Sequence, residues 1–139
     1  ARQTALKLQL VKDGKVIYEI PLYPEDWSRD QLERELDALE TGFDRLAKIF
    51  TALSHETRLR MLRQLMGERD LTMNFGDFMR ELDLNPKLVW ENTRKLREGG
   101  LLEKVEKGKY RCSDFGRMEL MMSLALRRLM KEFEEMEKS

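Results

Sequence analysis

Apolar residues recur along this chain first at every second position and then at helical spacing. Residues 4–22 carry TALKLQLV and KVIYEIPL on either side of Asp13-Gly14. Leu6, Leu8 and Leu10 share one strand face, as do Val16, Tyr18 and Ile20, and Asp-Gly between alternating runs signals a two-residue hairpin. A lone two-stranded hairpin is marginal in water. Its apolar face is therefore expected to pack on the rest of the domain or on a partner chain.

After a polar linker around Pro21 and Pro24 the period changes. Ser28 reads as an N-cap with Gln31 completing a capping box. Leu32, Leu36, Leu39, Phe43, Leu46, Phe50 and Leu53 then follow in alternating steps of four and three. That seam predicts one long helix of roughly 30 Å, with Gly42 inside it as a bend or a close helix contact. So narrow a stripe suits an intrachain helix pair or a dimer interface. Ser54 is expected to open the next helix, to about Met66, with Leu59, Leu62, Leu65 and Met66 inward and Arg58, Arg60 and Arg63 outward. A third helix starts at Asn74 and carries Phe75, Phe78, Met79 and Leu82.

Asp83-Leu84-Asn85 then makes a tight turn into the stretch that organises the chain. Asn85 is a good N-cap and Pro86 suits the first helical position. Leu88, Val89, Asn92 and Leu96 form the inward stripe, and Lys87, Trp90, Glu91, Arg94, Lys95 and Arg97 the opposite face. Gly99-Gly100 stops the helix through a left-handed C-cap. Leu101 to Val105 and Lys109 to Cys112 read as two strands around Glu106-Lys107-Gly108. Helix, short turn, helix and basic hairpin are the parts of a winged helix-turn-helix, with a recognition helix at about 86–98 and a wing at 103–111. Ser113 or Asp114 caps a last helix to about Lys138. Its apolar face is too wide for one surface helix on a small domain, so covering it calls for a second chain.

The expected fold is mainly α with small β: a winged helix-turn-helix with an N-terminal β-hairpin and long N- and C-terminal dimerisation helices. The expected divisions are a hairpin extension at 1–24, the winged domain with its long first helix at 28–112, and a dimerisation helix at 113–139. Leu32, Leu36, Leu39, Phe43, Met122, Leu126, Leu129 and Phe133 are the expected dimer contacts.

Charge sharpens this picture through its distribution. Lys+Arg and Asp+Glu each number 26 in the 139 residues. Within 86–111, eight basic residues (Lys87, Arg94, Lys95, Arg97, Lys104, Lys107, Lys109, Arg111) face four acidic ones. A local cationic patch on a neutral molecule favours a phosphate-facing surface over general polyanion binding. The single cysteine, Cys112, excludes an intrachain disulfide and suits a reducing cytoplasm. No apolar run of about 18 residues suggests a membrane span, and no signal peptide is visible. His55 is the only histidine, and zinc or other thiophilic metals want several Cys or His ligands, so no metal or cofactor is expected. No Gly-rich phosphate loop and no nucleophile–base pair stands out, which argues against an enzyme.

Leu53 to Leu65, LSHETRLRMLRQL, resembles the ArsR family of winged-helix repressors. The resemblance continues from Phe75 to Leu102, through Leu84-Asn85, Val89 and KLREGGLL, and again at YRCSDFG from Tyr110 to Gly116. It covers roughly residues 43–130. The Thr-Arg and Leu-Arg-Glu-Gly-Gly-Leu pieces are fairly specific in combination, although MarR-type regulators share the second. The resemblance implies a homodimer paired through its first and last helices. It departs from the family's metal sensors, which carry a Cys-x-Cys pair at the third helix or His and carboxylate ligands on the last. Here the first place reads LTMNFGDF and the last helix has no histidine. Trp90 stands where the family usually has a small polar residue, and Asn92 where it often has His.

These readings lead to a sequence-specific double-stranded DNA-binding regulator, a repressor by resemblance, with recognition helices in successive major grooves about 34 Å apart. Lys87, Glu91, Arg94 and Lys95 are positioned for bases or phosphates, and Arg94 is the best candidate for bidentate guanine contact. Asn92 either pairs with adenine or, following the stripe, is a buried hydrogen-bonding residue. Trp90 packs on a sugar or thymine methyl, or covers the turn from the third helix; the pattern does not choose. Lys104, Lys107, Lys109 and Arg111 would meet backbone phosphates, with Gly108 at the wing tip. His55 reads as a surface or capping residue and Cys112 as a small buried hydrophobe. A small-molecule effector is left open by the sequence. The alternatives are a winged-helix protein-interaction module and an architectural chromatin protein that coats unrelated sequences.

Overall fold

The computed structural model describes residues 5–138. Packing divides the chain between Phe43 and Asp44 into two compact units. The first begins with strands β1 (Lys7–Lys12) and β2 (Lys15–Pro21), paired antiparallel with Leu8 opposite Ile20 and Leu10 opposite Tyr18. Asp13 and Gly14 both take positive φ, 50° and 78°, which is the conformation a two-residue hairpin turn requires. The register slips between Leu10 and Val11. Within this single chain Leu8, Leu10, Val11, Val16, Ile17, Tyr18 and Ile20 are exposed.

A 3₁₀ turn at Pro24–Asp26 leads into helix α1 (Arg29–Thr41), whose N-cap Ser28 accepts from the Gln31 amide at 3.3 Å. Trp27 Nε1 donates to the Pro21 carbonyl at 2.7 Å and ties this entry to the end of β2. The single long helix expected from the heptad seam is interrupted. Gly42 ends α1, and α2 (Phe43–Leu53) starts immediately after it. Glycine is the weakest helix former after proline, and here it closes α1 by donating back to Ala38 O at 3.0 Å.

The second unit contains α2 from Asp44 onward and α3 (Glu56–Met66), then β3 (Thr72–Asn74), α4 (Phe75–Leu82) and α5 (Pro86–Glu98). Strands β4 (Leu102–Glu106) and β5 (Lys109–Cys112) and helix α6 (Asp114–Glu137) complete it. The sheet is antiparallel in the order β3-β5-β4, with Met73 and Lys104 both opposite Tyr110. β3 was not expected. Three residues are too short for periodicity to register, and the pairing depends on β5, more than thirty residues away in sequence. The core joins Met61, Leu62, Leu65, Met73, Phe78, Val89, Leu96 and Leu101, all essentially without solvent contact.

Several expected faces turn out rotated. α3 buries Arg58, Met61, Leu62 and Leu65, while Leu59 is exposed. Its N-cap is His55, whose Nδ1 accepts from the Thr57 amide at 3.1 Å; Ser54 donates instead to Thr51 O at 2.8 Å. On α2 the buried residues are Ile49 and Ala52, and Phe50 of the seam faces solvent. On α5, Leu88 is 40% exposed and Thr93 takes its place inside.

Gly99 and Gly100 divide two tasks. Gly99 is right-handed, but a Cβ there would lie 2.9 Å from Ala52 Cβ, so glycine permits the close approach of α5 to α2. Gly100, at φ 76°, supplies the left-handed stop. Gly116 permits a still closer approach, because a Cβ there would lie 2.2 Å from Leu101 O. Ser113 caps α6 beside it, accepting from the Gly116 amide at 2.8 Å and donating to Gly100 O at 2.7 Å.

Candidate nucleic-acid interface

Local chemistry sets the direction of α5. Asn74 and Asp77 cap α4 reciprocally, at 2.8 and 3.0 Å. Asp83, at φ 52°, closes α4 with a left-handed residue, and the chain re-enters a helix two residues later. Asn85 Oδ1 accepts from the Leu88 amide at 2.8 Å, and Pro86 occupies the first turn.

The inner face of α5 is pinned by a polar pair. Arg58, 5% exposed, donates through Nη1 to Asn92 Oδ1, through Nε to Ala52 O and through Nη2 to Thr51 O, each at 2.8 Å. Asn92 Nδ2 donates to Leu88 O at 2.8 Å. Asn92 is therefore the buried hydrogen-bonding residue, and no base-reading group. Burial lowers the Arg58 pKa from its ordinary value, yet a guanidinium remains protonated at any physiological pH. The pair satisfies two α2 carbonyls near that helix's C-terminus and locks α2, α3 and α5 together.

On the outer face, Lys87, Trp90, Arg94 and Arg97 are exposed, and Glu91 and Lys95 are half-buried. Trp90 is 57% exposed, with the Arg94 guanidinium carbon 5.3 Å from its ring centroid. Arg94 Nη1 also pairs with Glu98 Oε1 at 2.9 Å. On the wing, Lys104, Lys107, Lys109 and Arg111 are all exposed. Arg111 pairs with Glu103 at 3.1 Å and Lys109 with Glu106 at 3.4 Å. Gly108 turns the tip at φ 73°, and its carbonyl accepts from the Phe75 amide at 2.8 Å, which anchors the wing to the start of α4.

Helix and wing line two adjoining open clefts. One, of about 500 Å³, is lined by Arg94, Arg97, Glu98, Leu102, Glu103 and Lys104. A smaller one, of about 170 Å³, is lined by Trp90, Thr93, Arg94, Arg97, Lys104 and Tyr110. Arg94, Arg97 and Lys104 thus converge on one concave surface. Lys109 and Arg111 instead line a third cleft with Arg69 and Arg117. Those two arginines lie outside the helix and wing, where no local pattern marked them. The carboxylates Glu98, Glu103 and Glu106 were counted only as charge, yet each partners a cation of the site.

The expected dimer residues lie on two stretches of helix. Leu36, Leu39 and Phe43 are exposed and Leu32 is half-buried; Met122 and Leu126 are exposed, and Leu129 and Phe133 are half-buried. Buried apolar residues of α6 end at Leu120. Cys112 is a buried free thiol whose pKa is raised chiefly by burial. Among the described residues no group of three or more His, Cys, Asp or Glu could hold a metal ion, and no helix is long and apolar enough to cross a membrane.

No protein-family model and no curated protein matches the chain. Solved structures do. The chain is similar to the homodimeric winged helix-turn-helix DNA-binding domain of a possible ArsR-family transcriptional regulator from Mycobacterium bovis, determined in solution. The TM-score is 0.53 at 21% identity, covering 69% of this chain and 86% of that one. It is also similar to a crystal structure of a possible transcriptional regulatory protein from Mycobacterium bovis, with TM-score 0.52 at 22% identity over 65% and 94% of the two chains. At this identity the likeness is one of fold. The second unit is a winged helix-turn-helix.

Proposed function

We propose that this protein is a homodimeric, sequence-specific double-stranded DNA-binding transcriptional regulator, and a repressor. The observation that carries the reading is the shared cationic surface of α5 and the wing. Arg94, Arg97 and Lys104 converge on it, and Lys87 of α5 and Lys107 of the wing are exposed. α5 would enter a major groove with Lys87, Trp90, Glu91, Arg94, Lys95 and Arg97, while Lys104, Lys107, Lys109 and Arg111 meet flanking phosphates. The similar Mycobacterium bovis domain, homodimeric and DNA-binding, supports the assignment.

Dimerisation would use α1 with Leu32, Leu36, Leu39 and Phe43 and α6 with Met122, Leu126, Leu129 and Phe133. The outer half of α6 presents Met121, Met122, Leu124, Leu126 and Met130 to solvent, an apolar surface that monomers seldom leave bare. In this plan the hairpin extension, the winged domain and the dimerisation helix keep the divisions 1–24, 28–112 and 113–139. The buried thiol of Cys112 fits a reducing cytoplasm.

Selection of bound duplexes from a random pool, read by sequencing, tests the proposal. A palindromic consensus with half-sites about 10 base pairs apart supports a twofold DNA-binding dimer. Affinity falling steeply between 50 and 200 mM salt supports phosphate contact by about six or more cations. A protein-interaction module is the second reading, favoured by the 57% exposure of Trp90 beside the Arg94–Glu98 pair. Absence of duplex binding at low salt selects it, and uniform coating of unrelated sequences selects an architectural role.

A further inference from the structure

Trp90, Arg94 and Glu98 are spaced four residues apart and lie one turn above another on the outer face of α5. They differ from the remaining cations of the surface. Arg97 and Lys104 have no ion pair among the described residues. Arg111 is paired with Glu103 but stacks on no ring among the described residues. Arg94 alone is held from two sides, by the Glu98 carboxylate at 2.9 Å and by the Trp90 ring at 5.3 Å. The carboxylate takes Nη1, and Nε and Nη2 keep no protein acceptor among the described residues.

We propose that Trp90 and Glu98 are positioning residues that aim the Nε–Nη2 edge of Arg94 at the O6 and N7 of a guanine. The proposal rests on the DNA-binding reading above and deepens it by naming which residues set specificity. A guanine offers two acceptors at the spacing of one guanidinium edge, so a bidentate contact needs the guanidinium plane fixed before contact. A free arginine side chain loses rotamer entropy when it is fixed on binding. The stack on Trp90 and the bond to Glu98 restrict those rotamers in the unbound protein. The loss then precedes binding and weighs less on the base contact. A backbone phosphate, by contrast, accepts an arginine from many directions and gains little from a fixed plane. The pair therefore favours base reading over unspecific adhesion.

The test is random-pool selection with the full chain as wild type, Arg94→Ala, Trp90→Ala, Trp90→Phe and Glu98→Gln. Affinities for the selected and an unrelated duplex are measured in parallel. The guanine whose preference disappears in Arg94→Ala identifies the position. Trp90→Ala and Glu98→Gln are expected to reduce the preference for that guanine by about tenfold, within the range of one bidentate contact. For Trp90→Ala the readout is the ratio of the two affinities, and Glu98→Gln should strengthen the unrelated duplex slightly by removing a negative charge. Trp90→Phe keeps a ring face and should retain the preference, which separates positioning from a merely structural role. All of these side chains are at least partly exposed, so thermal melting should confirm unchanged folds. The proposal is overturned if both variants keep the guanine. It is also overturned if Glu98→Gln strengthens every duplex alike with the consensus intact, since Glu98 would then only compete with phosphate. Failure of the wild type to bind any duplex at low salt removes the DNA-binding reading, and this proposal with it.

Discussion

Helices α3 and α6 carry apolar residues at the same helical spacing and end in opposite surroundings. Leu62 and Leu65 of α3 are fully buried in a cluster with Phe78, Val89 and Leu96. In α6 the cluster reaches only Leu120, and six residues later the helix is still apolar on one side, with Leu126 58% exposed. Burying a leucine is worth about 1.5–3 kcal/mol relative to leaving it exposed, so two stretches of similar pattern contribute very differently to a single chain. The pattern states which face wants cover. It does not state whether the cover comes from the same chain.

Truncating one residue on each side tests the contrast at its widest. Leu62→Ala should lower the free energy of unfolding by about 3 kcal/mol, the usual cost of a large-to-small change in a closed core. Leu126→Ala should change it by less than about 0.5 kcal/mol where the chain is monomeric. In sedimentation equilibrium the same Leu126→Ala change should raise the dimer dissociation constant, and Leu62→Ala should not do so directly. Similar losses in urea unfolding for the two variants would erase the comparison.

Arg58→Met sharpens it from within α3. The substitution keeps much of the apolar stem but strands Asn92 Oδ1 and Ala52 O, both bonded at 2.8 Å in the native chain. A loss of about 2 kcal/mol is expected, most of it the desolvation cost of unpaired acceptors. Asn92→Ala, which leaves the guanidinium its carbonyl partners, should cost less. A neutral Arg58→Met would mean that water reaches this pair and that the α3 interior is not the dry core described.

The same residue explains where a sequence reading fails. Caps, glycine stops and turn chemistry were legible because they act over three or four residues. Asn85-Pro86, the Asn74 start, Asp13-Gly14 and Gly108 all appear where local rules place them. The face of α3 was misread because an arginine in a hydrophobic stripe looks like solvent exposure, which rotated the apparent stripe from Arg58 and Met61 to Leu59 and Met66. Only the carbonyls of α2 and Asn92 of α5 make a buried Arg58 tolerable, and that is tertiary information. β3 and the wing cleft with Arg69 and Arg117 likewise depend on distant partners. For the candidate interface, the cations were legible from composition along α5 and the wing. Their carboxylate partners and the Trp90 stack required the geometry.

Gly100→Ala carries a smaller effect. At φ 76° an L residue is strained, while the nearest atom to a new Cβ is Phe115 Cδ1 at 3.9 Å, so the cost is conformational alone. About 1 kcal/mol is expected in urea unfolding. Gly99→Ala, with Ala52 Cβ at 2.9 Å, should cost more despite its ordinary backbone. The reverse order would show that close approach to α2 is looser than the distance implies.

Cys112 gives the smallest signal and the one most directly tied to buried surroundings. Burial raises its pKa, with Arg117 pulling weakly the other way and Glu103 adding to the rise. The folded state therefore holds the thiol proton at pH values where the unfolded chain, near the ordinary thiol value of about 8.5, releases it. Because the folded pKa is raised, the contribution is fully present below the unfolded pKa and declines as pH rises through the folded one. Unfolding free energy should thus fall gently between about pH 8.5 and the folded value, and Cys112→Ala should remove that slope while costing some stability at every pH. The thiol should also react with a disulfide reagent only at the rate of opening, since the thiolate is the nucleophile and the site is dry. Rapid labelling of the folded protein at neutral pH would place Cys112 on the solvated side of the comparison, with the outer half of α6.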